Sequence, residues 1–202
     1  KIQIKESEIY LGSKINGTSS WRVDLDRRHS LAVAKFNSLR KVLCASSLLI
    51  SLKVKLFKVS VSTVLLYGSE CWLANPKIVI SEMRKRNWTF AWMLTHTRGQ
   101  KKMKDKVEKA RKVAKLVNLP ALMIRRKMKW LGQLLHEDVD VPSKDVLFSK
   151  KEWFLPWFFG LSWEEAIELS RDEEDWDDYI EHCVGKHALP MTKADKVSSE
   201  EQ

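Results

Sequence analysis

The spacing of apolar residues along the chain changes near Val23. Before this point, isoleucines and leucines partly alternate with polar residues, and Gly12-Ser13 and Asn16-Gly17 supply turn signals. Alternation with a period of two, followed by a turn, predicts a short strand pair or hairpin. Beyond Val23 the apolar residues recur at spacings of three and four, which is typical of amphipathic helices. The pattern therefore predicts a mainly α chain with a short β entry.

The same periodicity sets the extents of the predicted helices. They run approximately over residues 23–43, 49–67, 77–95, 101–118, 119–136, 162–169 and 172–184. In the second of these helices, apolar and basic residues occupy different sides. The apolar side comprises Leu52, Leu56, Val59, Thr63 and Leu66, and the lysines are Lys53, Lys55 and Lys58.

Polar residues mark the beginnings of two helices. Asp24 and Asp26 lie in the first predicted helical turn, where carboxylates suit the positive end of the helix dipole. Ser162, with Glu165 three residues later, has the pattern of a capping box. An aromatic cluster precedes this box, over residues 153–159. We interpret the cluster as packing of a small C-terminal unit or as an inter-subunit contact, since the acidic residues after it would repel anionic lipid.

Composition narrows the fold class. Seven glycines and five prolines in 202 residues are about half the usual share of these turn formers. This scarcity disfavours sandwiches, barrels and Rossmann folds, which need many tight turns. The length allows one substantial domain, or one domain with a small appendage. We predict a mainly α fold, with a helical bundle-like body, a short N-terminal β hairpin and a small C-terminal helical unit.

The cysteine content and the lengths of the apolar runs indicate the cellular compartment. Cys44, Cys71 and Cys183 are odd in number and form no CxxC pair, so we expect no disulfide framework. The apolar runs are too short to span a bilayer, and residues 1–10 lack the apolar core of a secretory signal. We therefore expect an intracellular protein, in the nucleus or cytoplasm, with no membrane partner.

The charge of the chain is segregated. Residues 1–150 carry a net charge of +19 and residues 151–202 a net charge of −9. A basic body suggests a polyanionic partner, although a solvated lysine-rich surface gives the same pattern. Composition shifts divide the chain into a β entry (1–22), a helical region (23–98), a basic helical region (99–150), a small acidic aromatic-rich unit (151–190) and a flexible tail (191–202).

Three consecutive predicted helices carry the candidate nucleic-acid contacts. Lysines and arginines there could neutralise phosphates, with release of counterions. The candidates are Arg84, Lys85, Arg86, Lys101, Lys102, Lys104, Lys112, Arg125, Arg126, Lys127 and Lys129. Trp88, Trp92 and Trp130 lie among them and could stack on bases, but we favour a packing role because tryptophan at helical spacing usually belongs to the core.

Other candidate chemistry has a simpler explanation in each case. Asp177-Asp178 is an adjacent carboxylate pair, but it lies in a predicted acidic helix and is best explained as a solvated face. His182, Cys183 and His187 lack a fourth zinc ligand at a standard spacing. We predict no catalytic residue, no metal ligand and no resident cofactor in this chain.

A series of short elements, in this order, resembles LINE-type non-LTR retrotransposon reverse transcriptases in the region after the palm. The elements are Tyr10-Leu11-Gly12, the Leu25-x-Arg27-Arg28-x-x-x-Ala32 stretch, Leu65-Leu66-Tyr67-Gly68-Ser69-Glu70-Cys71-Trp72, Ile124-Arg125-Arg126-Lys127-Met128-Lys129-Trp130-Leu131-Gly132, and the spacing from Leu161-Ser162-Trp163 to Asp172-x-x-x-Trp176. Together they cover about residues 2–183. Each is weak alone, and the ordered set is fairly specific.

The resemblance implies that residues 1–22 correspond to the end of the palm, that a thumb and connector run from about residue 23 to 95, and that the remainder of the palm and the fingers lie upstream. The metal-binding aspartates of the family would belong to that palm, so Mg²⁺ is expected only in a full-length parent. The resemblance also implies RNA or an RNA/DNA duplex as partner, together with the missing fingers and palm.

Three hypotheses follow. The first is a non-catalytic reverse-transcriptase fragment whose basic helices grip nucleic-acid backbone. The second is a helical protein-interaction module whose acidic tail folds over its basic body. The third is a decayed open reading frame without selected function. Salt-dependent binding separates the first from the second, and cooperative unfolding separates both from the third.

Overall fold

A computed structural model of the chain describes residues 7–10, 12–16, 21–72, 76–95, 103–136 and 160–188. Several predicted features lie outside these residues. They are the first part of the β entry, Leu11 of the first motif, the candidate contacts Lys101 and Lys102, the aromatic cluster at 153–159 and the tail at 191–202.

The described chain opens with a hairpin. Strands β1 (Ser7–Tyr10) and β2 (Ser13–Asn16) are antiparallel, and Ile9 is paired with Lys14. Gly12 has a φ of 81° in the turn between them, a conformation that glycine adopts without the steric cost of a Cβ. The predicted strand pair is therefore present, and its turn lies at the predicted glycine.

Helices form the remainder of the described structure. They are α1 (Trp21–Ser38), α2 (Arg40–Leu43), α3 (Ile50–Ser60), α4 (Ser62–Leu65), a short 3₁₀ helix (Ser69–Cys71), α5 (Pro76–Thr95), α6 (Met103–Val117), α7 (Leu119–His136), α8 (Trp163–Ser170) and α9 (Glu173–Ala188). The prediction of a mainly α fold with an N-terminal hairpin is confirmed. None of the described helices combines the length and the apolar content that crossing a bilayer requires.

The chain forms two compact units. The first contains Lys1–Ala74 and Lys85–Val117, and the second contains Asn75–Arg84 and Asn118–Gln202. In the first unit, the Phe90 ring of α5 lies 5.1 Å from Phe57 of α3 and 6.2 Å from Phe36 of α1, between ring centres. All three side chains are fully buried, so aromatic packing joins these helices.

Helix α7 is the central helix of the core of the second unit. Its buried residues Ile124, Met128 and Leu131 recur at spacings of four and three, as expected for the packed stripe of a helix. They share this core with Trp176 and Ile180 of α9. The predicted capping box begins α8, since Ser162 Oγ accepts from the Glu165 amide at 3.2 Å and Glu165 Oε2 accepts from the Ser162 amide at 2.6 Å.

Helix α3 buries a different side from the one that the sequence pattern marks as apolar. Leu52, Leu56 and Val59 are exposed to solvent, whereas Val54 and Phe57 are buried. Lys53 is also buried, with 5% of its surface exposed. Both sides of this helix carry large apolar residues, so periodicity alone could not identify the one that faces the core.

Candidate functional site

The motif elements of the first unit meet around Arg28, in the second turn of α1. The carbonyl oxygen of Gly12 accepts hydrogen bonds from Arg28 and, at 2.7 Å, from Arg27. The guanidinium carbon of Arg28 also lies 4.3 Å from the ring centre of Tyr67. Burial lowers the pKa of Arg28, and the nearby Asp24 carboxylate opposes that shift. One arginine thus connects the hairpin turn to the segment that follows α4.

Asp24 holds a second set of contacts in the same place. Its carboxylate accepts from the Lys14 amide of β2 at 2.7 Å and from Trp72 Nε1 at 3.2 Å. Arg28 Nε lies 3.8 Å away. Asp24 does occupy the first turn of α1, as predicted for a helix-start carboxylate, but it is also a buried junction of three segments. Sequence reasoning missed this role because the partners are ten and forty-eight residues distant.

Gly68 reinforces this junction. Its φ is 72°, and a Cβ at this position would lie 2.8 Å from Ser13 Oγ of the hairpin. The left-handed conformation favours glycine, and a Cβ would also require the Ser13 hydroxyl to move. Of the motif residues proposed as sites, Tyr10, Gly12, Tyr67, Gly68, Glu70 and Trp72 therefore all belong to segments that meet at the Asp24–Arg28 pair.

The later motif elements meet in the second unit. Trp176 of α9 donates from Nε1 to the Met128 carbonyl of α7 at 3.2 Å. A Cβ on Gly132 would lie 2.4 Å from that same Nε1, so the missing side chain makes room for the indole. Leu131 is buried and Trp130 is partly exposed. The Trp130-Leu131-Gly132 element thus packs on the helix that carries Trp176.

Acidic residues of α9 engage two of the candidate nucleic-acid contacts. Arg125 donates from Nε and Nη2 to the two carboxylate oxygens of Glu181, each at 2.6 Å. This hydrogen bond raises the pKa of Arg125 and lowers the pKa of Glu181. Lys129 Nζ lies 3.4 Å from Asp177 Oδ2. The acidic helix thus lies along the basic helix α7 and neutralises part of its charge.

The other candidates near this unit are less accessible. Lys127 is buried, and Arg126 is partly exposed. Arg84 donates to the His187 carbonyl oxygen at 2.9 Å, and burial lowers its pKa. The basic residues of the second unit are therefore largely occupied by contacts within that unit.

The basic residues of α6, in the first unit, are in a different situation. This helix buries Ala110, Val113 and Val117 and turns most of its charged residues outward. Its exposed cations are Lys104, Lys109, Arg111, Lys112 and Lys115, and they form no ion pair with another described residue. Lys106 is only partly exposed and lies on the same side of the helix as Ala110 and Val113. Asn87 of α5 donates to the Ala114 carbonyl at 2.8 Å, which fixes α6 against α5. We call the five exposed cations the α6 basic face.

Helix α5 adds a cation and an aromatic pair to the first unit. Lys85 and Trp88 are exposed, and Trp92 is partly exposed. The rings of Trp88 and Trp92 lie 6.5 Å apart between centres. Arg86, by contrast, is mostly buried and donates to Asp26 Oδ1 at 2.7 Å. The expectation that tryptophans of this region pack in the core is wrong for Trp88, which is 40% exposed.

The described residues do not fit a polymerase metal site. Asp177 pairs with Lys129, and Asp177-Asp178 lies on helix α9, not on adjacent strands. In α9, Cys183 is buried whereas His182 is exposed, and burial raises the pKa of the Cys183 thiol. Within the described parts of the chain, no three histidine, cysteine or acidic residues converge on a position that a metal ion could occupy.

Comparison of the chain with protein-family models, curated proteins and solved structures finds no significant match.

Proposed function

We propose that this chain is a non-catalytic fragment of a LINE-type reverse transcriptase whose basic helices grip the backbone of RNA or of an RNA/DNA duplex. The α6 basic face is the observation that carries this proposal. Its five exposed cations lie on one helix, which also carries Asp105 and Glu108, and none of the five forms an ion pair with a described carboxylate. Such a surface gains affinity for a polyanion by releasing counterions from the phosphates. The ordered motif resemblance supplies the family.

Residues of α5 suit the same ligand. Lys85, Trp88 and Trp92 recur at spacings of three and four, so they share one side of the helix. A cation beside exposed indole rings can contact a phosphate while a base stacks on a ring. Asp24, Arg28 and the motif residues around them have a supporting role in this proposal, because they hold the first unit together.

Replacing Arg111, Lys112 and Lys115 together with alanine is expected to weaken RNA binding and to flatten its salt dependence. Each lost backbone contact reduces the log–log slope by about 0.7 for single strands, so three contacts reduce it by about 2. Fluorescence anisotropy at several salt concentrations measures both quantities. The matched control replaces Lys35, Arg40 and Lys41, which are exposed cations of α1 and α2, with alanine.

The control has the same change in net charge but lies away from α6 in sequence. If both triple variants weaken binding equally, the effect is one of net charge and the α6 basic face is not the contact surface. If the unmodified protein shows no affinity at low salt, the proposed function is wrong.

Neutralising the acidic partners on α9 is expected to strengthen binding. The double substitution Glu181→Gln and Asp177→Asn removes the carboxylates that engage Arg125 and Lys129. Two released cations are expected to steepen the log–log salt slope by about 1 to 2. The control pair is Glu174→Gln with Asp178→Asn, which has the same charge change and the same four-residue spacing on α9.

Glu174 and Asp178 are exposed and form no ion pair with another described residue. An equal gain in affinity from both double variants would show that α9 acts through its net charge alone. No gain from either would show that Arg125 and Lys129 do not contact the nucleic acid.

A further inference from the structure

A row of large apolar side chains on and just before α3 faces solvent. Leu49 is 76% exposed, Leu52 43%, Leu56 38% and Val59 72%. These four residues are separated by three, four and three positions, and we call them the α3 seam. Isolated exposed leucines are common on protein surfaces, but a regular row along one helix marks an interaction site.

The spacing of the α3 seam defines the shape of its partner. Alternating steps of three and four residues keep side chains along one line of a helix, and a second helix packs onto such a line with its own apolar residues. Within α3 the seam runs from Leu52 to Val59, which is about 10 Å of helix at 1.5 Å per residue, and Leu49 directly precedes the helix. The complementary shape is an amphipathic helix of at least two turns.

The opposite side of α3 is anchored in the first unit. Val54 and Phe57 are buried, and Phe57 lies against Phe90 of α5. The exposed row therefore belongs to a helix that is already ordered. A partner would not have to bear the entropy cost of ordering it, which favours association.

Charge distinguishes the candidate partners. Lys55 is exposed and directly precedes Leu56 of the seam, so it flanks any helix that packs there. The chain carries a net charge of +10, and residues 1–150 carry +19. A second copy would bring like charges together, whereas glutamates at the flanking positions of a partner helix would pair with lysine.

We propose that the α3 seam binds an acidic amphipathic helix of another protein. This proposal is independent of nucleic-acid binding, because the seam is apolar and lies on a different helix from the α6 basic face. It gives the first unit two surfaces of different chemistry, one for phosphate backbone and one for a protein helix.

The test uses the full chain and a labelled synthetic peptide of three heptads, with leucine at the first and fourth positions and glutamate at the flanking positions. One control peptide has the same composition in shuffled order, and another carries lysine at the flanking positions. In fluorescence anisotropy, we expect the leucine–glutamate peptide to bind at least tenfold more tightly than either control.

Variants of the chain locate the contact. Leu52→Ser with Val59→Ser is expected to weaken binding of the leucine–glutamate peptide at least tenfold. Leu31→Ser with Leu116→Ser alters two exposed leucines elsewhere in the first unit and should leave binding unchanged. Lys55→Glu should weaken binding of the leucine–glutamate peptide and strengthen binding of the peptide that carries lysine at the flanking positions. Circular dichroism and the thermal midpoint confirm that each variant folds.

Three outcomes would overturn the proposal. Equal binding of the shuffled peptide would assign the interaction to charge alone, and unchanged binding by the Leu52→Ser/Val59→Ser variant would place it elsewhere. Self-association that this variant abolishes, measured by sedimentation equilibrium, would make a second copy the occupant. The α6 triple variant is expected to lose RNA binding and to retain peptide binding. The peptide test can therefore fail or succeed independently of the proposed nucleic-acid function.

Discussion

Replacing Asp24 with alanine is expected to destabilise the first unit by about 3–5 kcal/mol, because the change leaves a buried arginine without its counter-charge. Asp24 is 4% exposed, and Arg28 is 6% exposed. The Lys14 amide and Trp72 Nε1 lose their acceptor in the same step. The hairpin, α1 and the segment after α4 then lose the contacts that join them.

Urea unfolding followed by circular dichroism measures this loss. Asp26→Ala is the matched control, since Asp26 lies two residues away on α1 and pairs with Arg86, but its side chain is 72% exposed. Arg86 is mostly buried, but the Asp26 carboxylate remains largely in water, so its removal is expected to cost about 1 kcal/mol. The unfolding midpoint of Asp24→Asn should lie between those of the two alanine variants, because the amide oxygen of asparagine can still accept a hydrogen bond. Equal midpoints for the Asp24 and Asp26 alanine variants would contradict the assigned role of Asp24.

Replacing Gly132 with alanine is expected to destabilise the second unit by about 1–3 kcal/mol, the usual cost of overpacking a core. The new Cβ would lie 2.4 Å from Trp176 Nε1 and 3.0 Å from its Cδ1. The indole is rigid and donates to the Met128 carbonyl, so it cannot move without losing that hydrogen bond. Without this overlap, alanine would stabilise the helix relative to glycine by about 1 kcal/mol. The sign of the change in unfolding free energy therefore tells whether the overlap is present.

Gly185→Ala is the control for this substitution. Gly185 lies within α9, and a Cβ there would meet no atom within 4 Å. This variant should be stabilised by about 0.5–1 kcal/mol through helix propensity alone. Denaturant midpoints of the two variants should therefore move in opposite directions. If Gly132→Ala is also stabilised, Trp176 is not held against α7 as the structure describes.

Gly132 belongs to one of the motif elements, and Asp24 contacts residues of two others. Gly12, Tyr67 and Trp72 meet at the Asp24–Arg28 pair, and Gly132 receives Trp176. Each of these contacts has a structural reason that does not depend on a ligand. The motif residues thus account for packing inside each unit, and the exposed cations of α6 are the surface proposed for binding.

The sequence alone determined the class of fold and most of its elements. Apolar spacing predicted the hairpin and the long helices α5, α6 and α7, and the Ser162–Glu165 spacing predicted the capping box of α8, because these features depend on residues within a few positions of one another. Charge counting likewise identified α6 as basic, since local composition requires no tertiary information.

Only the tertiary structure decided which of these residues are exposed and without an ion pair, and so could contact a ligand. It paired Arg125 and Lys129 with carboxylates about fifty residues later in the chain, and it left the exposed cations of α6 without an ion pair to another described residue. It also buried Phe57 and exposed Leu52 and Val59 on a helix with two apolar sides. These outcomes depend on which elements pack together, and contacts between distant segments leave no periodic signal in a single sequence.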